Sequence, residues 1–292
     1  MKHRSVFRRL PRWMAVIASA VCLTLLMCGS AAQAAGGVVV DGVLNFRDTG
    51  GHPAAPGGRT REDVLFRAGA LDTATDAGVA TLAALHVRTV VDLRSEGERA
   101  GRPDRLPAGA VEQAYPIVAL DGLSSFAQLT AMTADEQEAL LGAGRARRMM
   151  VDAARQFVTD PQKRAAFGAA LRTVADSGDG AVVVHCSGGR DRTGWLVAVV
   201  QTLLGVDHDE VLADYLRSNT ELAGWKAATL SRLAAAGMSD PHLVDPLLDV
   251  DGAYLRASFD QAEQSYGSFR AFVRDGLGVS GAELARLRTR LG

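Results

Sequence analysis

Cysteine is nearly absent from these 292 residues: there are three, and two of them, Cys22 and Cys28, fall within the first 34. Without that segment Cys186 has no partner in its own chain, which excludes a disulfide framework. Lysine is also scarce, three against 29 arginines, and the arginines are scattered among acids. Removing residues 1–34 takes away five basic residues and no acid, moving the net charge from −1 to −6. A nucleic-acid surface is excluded on that balance. No group of His, Cys and carboxylates has metal-ligand spacing, so neither a metal nor a cofactor is expected. Beyond residue 27 no apolar run is long enough to span a membrane, and there is no internal repeat or long linker.

What is present begins with a leader. Lys2, Arg4, Arg8, Arg9 and Arg12 precede an apolar stretch from Trp13 to Met27, and Ala32-Gln33-Ala34 follows as a small-x-small cleavage site. Residues 1–34 therefore read as a secretory signal peptide. Their apolar run is shorter than the roughly 20 residues a span needs. Secretion, or at least residence outside the cytoplasm, is the expected location. Residues 35–292 are long enough for one α/β domain with a full core.

Strands are expected at 38–44, 63–69, 87–95 and 111–120, with a helix from Thr73 to Leu85 and further helices through 122–178. "AVVVHC", residues 181–186, is a continuous β-branched run, as in a central strand buried on both faces. An apolar helix follows from Gly194 to Leu204, and another starts at an Asp207 or Asp209 cap. The last 70 residues read as helical, with Ser280 capping the final helix. This order predicts a central, mostly parallel sheet flanked by helices, with a helical C-terminal region.

Cys186 ends the buried strand and Arg192-Thr193 opens the buried helix, so the loop between them lies at the carboxyl edge of the sheet, where α/β folds bind ligands. Ser187, Gly188 and Gly189 make a small turn whose backbone N–H groups can form an anion nest. The following helix aims its N-terminus at the same point. Arg192 adds a planar fork suited to two phosphate oxygens. Positive potential converging on a thiol favours its ionised, nucleophilic form. By composition alone, His-Cys-x5-Arg is expected about 0.006 times in this chain, so the match is not an accident of arginine content. His185 is expected to order the loop by hydrogen bonds.

"HCSGGRDRTG" resembles the phosphate-binding loop of the cysteine-dependent protein tyrosine phosphatases, and more narrowly their bacterial branch. "NFRD" at Asn45–Asp48, "DLR" at Asp92–Arg94, "ADYLRSN" at Ala213–Asn219 and "YGSFRAFVRDGLGVS" extend the likeness over about residues 38–291. The resemblance implies that Cys186 attacks phosphorus to give a phosphocysteine and that Arg192 binds phosphate. Thr193 would hydrogen-bond the sulfur, and Asp191 would be the general acid. Ser187, Gly188, Gly189 and Arg190 complete the substrate site. Lysine is common at position 190 in this branch, where it is associated with phosphoinositide recognition; here it is Arg190. Asp121, in "AYPIVALDG", is the alternative acid. Asn45, Arg47 and Asp48, and likewise Asp92 and Arg94, are expected to brace the loop.

The expected substrate is a phosphorylated protein or a phosphoinositide. A phospho-ligand binder without turnover and a rhodanese-like sulfurtransferase are the competing readings. Arginine six positions after the cysteine, leading into Thr-Gly and an apolar helix, weighs against the second. Residues 221–248 are expected either to form a helical lid over the loop or to pack as ordinary core.

Overall fold

The computed structural model describes residues 37–120 and 126–292. The leader, residues 1–34, and Asp121 lie outside the described residues. In chain order the strands are β1 (Arg47–Asp48), β2 (Pro53–Ala54), β3 (Gly58–Arg59), β4 (Leu65–Ala68), β5 (Val87–Asp92), β6 (Val111–Ala114) and β7 (Ala181–His185). The helices are α1 (Asp76–Ala84), α2 (Glu96–Arg99), α3 (Phe126–Thr130), α4 (Ala134–Leu141), α5 (Arg145–Thr159) and α6 (Pro161–Asp176). They continue with α7 (Asp191–Leu204), α8 (His208–Glu221), α9 (Ala223–Ala235), α10 (Asp245–Leu248), α11 (Gly252–Tyr266), α12 (Phe269–Ala271) and α13 (Gly281–Leu291).

The sheet runs β1-β4-β7-β5-β6, with β4, β7, β5 and β6 parallel and β1 antiparallel at one edge. It is the expected α/β architecture. The central β7 is buried on both faces, as its valine run requires. Val182 and Val184 join the core formed with α6, α7, α11 and α13. Ala181 and Val183 face the smaller cluster containing Leu82 of α1 and Phe66 of β4. Registry sets Asp92 and Ala68 on either side of His185, so three strand ends deliver side chains to one edge. α7 starts there; Arg192 to Gln201 are all buried, and Gly205 stops the helix in a left-handed cap at φ 85°.

The expected strand at 38–44 is not one. Val40 O accepts from Val43 N, Gly42 sits at φ 80°, and Asp41 O accepts from Thr75 N, so this backbone closes a turn against the start of α1. A side chain at Gly42 would meet Thr73 O at 2.1 Å, which explains the glycine. The edge position goes instead to Arg47–Asp48. The long helical stretch after residue 126 is broken by left-handed Ala143 and Gly144 and again at Pro161, whose helix is capped by Asp160. Asp207, not Asp209, caps α8. Among the described residues no helix is long and apolar enough to cross a membrane.

Candidate active site

The loop from Cys186 to Arg190 is held by its carbonyls. Cys186 O faces His185 Nδ1 at 3.3 Å, and Ser187 O accepts from Ala70 N at 3.2 Å. Gly188 O accepts from Asn45 Nδ2 at 3.1 Å. Gly189 O accepts from Asn45 Nδ2 and from Arg67, each at 2.9 Å. A trans peptide sets each C=O opposite the next residue's N–H. Four carbonyls drawn to the supporting side therefore turn the N–H groups of residues 187 to 190 to the other side. The anion nest follows from the outer bonds. Gly189 is required at φ 67°, since a Cβ there would lie 2.3 Å from Ala68 O.

The supports are charged and buried. Asp214 of α8 bonds Arg47 Nε at 2.8 Å and Arg67 at 2.7 Å, while Ser218 Oγ lies 3.3 Å from donors on Asn45, Arg47 and Arg67. Burial, and then the neighbouring Arg67 charge, lower Arg47 to about 10. Burial opposes the Asp214 charge, yet Arg67 and Arg47 hold that carboxyl down at about 2. The "NFRD" and "ADYLRSN" motifs thus meet beneath the loop. Asp48 does not join them: it accepts from Gly50 N at 2.7 Å and Asp63 N at 2.5 Å, and so braces a turn instead. Asn219 pairs with both backbone groups of Val250 at 2.8 Å, fixing the chain ahead of α11.

Behind His185 is a second network. Its Nε2 lies 3.0 Å from Asp104, which also accepts from Leu71 N at 2.9 Å and Arg94 at 2.7 Å. Burial works against the Asp104 charge, but His185 and Arg94 keep the carboxyl below its ordinary range. Arg94 forks onto Asp92 at 2.9 to 3.1 Å. Asp92, Asp104 and His185 stand close enough to hold a cation, but arginine already occupies the carboxylates.

On the open side Cys186, Ser187, Gly188, Arg190, Asp191 and Arg192 border one cavity of about 650 Å³. Cys186 is only 2% exposed. Arg192 is buried and bidentate to Glu98 at 2.6 and 2.7 Å, and Ser187 Oγ donates to the same carboxylate at 2.5 Å. Burial disfavours both charges of this pair. Even so, Glu98 is held down at about 2 by Arg192 and Ser187, and Arg192 is pushed above its ordinary value by Cys186 and Glu98. Asp191 Oδ1 is buried with no partner, and Oδ2 is 3.7 Å from Arg190. Thr193 Oγ1 is buried and makes no hydrogen bond, so the implied bond to the sulfur is not formed here.

Arg190 is turned to the cover of the cavity. Its terminal nitrogens donate to Leu247 O, at 3.0 Å, and Leu248 O, and its guanidinium stands 5.5 Å from the Trp225 ring centre. Trp225, Arg232 and Leu247 of the 221–248 stretch border the same cavity. Leu233, Val244, Leu247 and Leu248 at the same time join a second apolar cluster with Leu129, Leu141 and Met150. The stretch therefore packs as core while it borders the cavity of the site.

Glu98 was not read from the sequence as part of the site. Its signal was the capping box Ser95-x-x-Glu98, with Ser95 N donating to Glu98 at 2.9 Å. Arg67 carried no signal beyond lying on a buried strand.

The tyrosine phosphatase family profile matches residues 38–292. A candidate tyrosine-protein phosphatase of Cupriavidus necator is 32% identical over 248 residues, 84% of this chain and 85% of its own. The triple specificity protein phosphatase PtpB of Mycobacterium tuberculosis is 33% identical over 271 residues, 85% of this chain and 96% of its own. A tyrosine-protein phosphatase of Nostoc commune is 29% identical, covering 88% and 83%. With its loop, supports and sequence all in agreement, the chain belongs to the tyrosine phosphatase family and is an enzyme of that kind.

Proposed function

We propose that the enzyme hydrolyses phosphomonoesters through a phosphocysteine, and that phosphotyrosine in proteins is its main substrate. The carrying observation is the loop whose carbonyls are all held from outside, around a thiol at the end of a buried strand. The inward N–H groups and Arg192 bind the dianion and the charge that develops in the transition state. The Cys186 sulfur displaces the alcohol as a bond to phosphorus forms and the P–O bond breaks. Asp191 gives its proton to the leaving oxygen, and water then cleaves the thiophosphate to release inorganic phosphate and the free thiolate. The unpartnered Oδ1 of Asp191 at the cavity supports that role.

Beyond the loop the cavity is walled by Met150, Ala153, Ala154 and Phe157, surfaces suited to an aromatic ring. Phosphoserine, phosphothreonine and phosphoinositides are further substrates on this reading, supported by the triple-specificity name of the M. tuberculosis relative. A phosphoinositide headgroup would draw Arg190 off the Leu247 and Leu248 carbonyls and the Trp225 ring, so we place it below phosphotyrosine. A phosphate-release panel over the three classes tests the order. Phosphotyrosine peptides should give the highest kcat/KM, and a higher value on a phosphoinositide would reverse it. Binding without release on any of them would leave a phospho-ligand binder.

We also propose that residues 1–34 are removed on export, leaving 35–292 as the catalytic domain. The basic start, the apolar run and Ala32-Gln33-Ala34 support it. Recovery from the medium of a chain beginning at Ala35 is the expected result; a full-length chain kept in the cytoplasm would overturn it.

A further inference from the structure

Asp191 and Trp195 both border the cavity beside Cys186, and each has a buried polar atom, Oδ1 and Nε1, with no hydrogen-bond partner among the described residues. The two residues stand four apart on α7, hence on one face of it. A long side chain in a helix leans back over the preceding turn, which brings the indole toward the carboxylate. The indole is held there: Trp195 is 2% exposed and packs edge-on against Phe259, with ring centres 5.0 Å apart, and against Phe272 at 6.0 Å. Asp191 Oδ2 is turned to Arg190 at 3.7 Å, which leaves Oδ1 as its uncommitted oxygen. Polar groups of α11 on the same cavity are already engaged, Tyr254 OH donating to Pro246 O at 3.2 Å and Ser258 Oγ to Ala154 O at 2.8 Å. The side chains of Met150, Ala153, Phe157 and Leu255 complete the wall without a donor or a strong acceptor.

From this we infer that Trp195 is a positioning residue for the water that splits the phosphocysteine, which it holds between its indole N–H and Asp191 Oδ1. The inference rests on the phosphocysteine reading of the loop. A buried water needs two or more polar partners, and this pair also sets its orientation. An indole nitrogen only donates and an ionised carboxylate only accepts. The water therefore takes the indole N–H on one lone pair and points an O–H at Asp191. Asp191 is ionised at this stage, having given its proton to the leaving oxygen in the first step. The second lone pair of the water is left free for phosphorus. As the new O–P bond forms, the P–S bond breaks, its electron pair returns to Cys186 as thiolate, and the water proton passes to Asp191 Oδ1. Inorganic phosphate leaves and Asp191 is again protonated. One carboxylate oxygen thus serves as acid and then as base, and Trp195 acts in the second step alone.

Two experiments test this on the whole enzyme. In the first, Trp195→Phe, which keeps a ring against Phe259 and Phe272 but has no N–H, is compared with the wild type by rapid acid quench on nitrophenyl phosphate. The phosphocysteine should form at a rate within about twofold of wild type. Its decay should slow by about tenfold, the upper worth of one hydrogen bond. Decay at the wild-type rate would overturn the assignment. Formation and decay slowed alike would overturn it too, since that is the mark of a disturbed loop. The second experiment uses the unaltered protein and vanadate, which becomes five-coordinate on a cysteine thiolate and sets an oxygen opposite the sulfur, where the attacking water would stand. Followed by nitrogen NMR, the Trp195 indole N–H should move downfield as vanadate is added. A signal that stays in place would refute the role whether or not Trp195→Phe folds. A wild type that turns over without any phosphocysteine would instead sink the reading on which the inference rests.

Discussion

Asp191 and Arg192 are neighbours with different proposed tasks, and they differ in what each atom touches. Arg192 is bidentate to Glu98 and also donates to Leu93 O and Ile117 O. Lysine there would supply a point charge without a fork, so Arg192→Lys should cost about a hundredfold or more in kcat/KM. A variant within a few-fold of wild type would show that the fork is unimportant. Asp191 offers one unpartnered oxygen. Tyrosine leaves poorly, with a pKa near 10, whereas nitrophenolate depends little on a proton. Asp191→Asn should therefore lose about a hundredfold on phosphotyrosine and much less on nitrophenyl phosphate. If Asp121→Asn shows the selective loss instead, the acid is Asp121. At this scale residue type and spacing pointed to Cys186 and Arg192, and the family resemblance to Asp191; the structure brings all three to one cavity. The sequence was silent on Arg67 and Glu98, because an arginine on a strand or a glutamate on a short helix looks the same whether it faces solvent or a loop.

Between elements, Asp214 joins α8 to β1 and β4 through two buried arginines. Removing it leaves both cations without a counter-charge, so Asp214→Ala should destabilise by about 3–5 kcal/mol in urea unfolding. A loss under about 1 kcal/mol would mean the pair behaves like a surface contact. Acid adds an independent check. The Asp214 carboxyl is lowered from 3.8 to about 2 in the fold, so its contribution is complete above about pH 4 and lost as the pH falls through about 2. By linkage it is worth about 2 kcal/mol, and the acid limb of wild-type stability should flatten in Asp214→Asn. The motifs on these elements were legible as motifs, but not their meeting, which needs sheet order. The valine run at 38–44 misled because β-branching signals a strand, while Asp41-Gly42 spends the backbone groups on a turn against α1. The strands at 65–68, 87–92 and 181–185 were legible because most of their buried positions carry apolar or β-branched residues.

Over the whole molecule, the sheet edge, the loop and the 221–248 cover enclose a thiol that is 2% exposed. The cover is fastened where Arg190 meets Trp225 and the α10 carbonyls. A cation–π contact of about 0.5–1 kcal/mol corresponds to about a two- to fivefold change in how often the cover opens. Trp225→Ala should raise Cys186 alkylation by iodoacetamide by that factor, and an unchanged rate would remove the cover as its shield. The fold class could be read from alternating strands and helices. The doubling of cover and core could not, because apolar spacing at 225, 230 and 233 serves both. The central claim, that this architecture exists to make Cys186 a nucleophile toward phosphorus, is tested most directly by rapid acid quench of the enzyme turning over an aryl phosphate, followed by peptide mass mapping. One phosphoryl group on Cys186, absent from Cys186→Ser, which should still bind vanadate but not turn over, is the predicted result; steady turnover with Cys186 unmodified, or by Cys186→Ser itself, would contradict it.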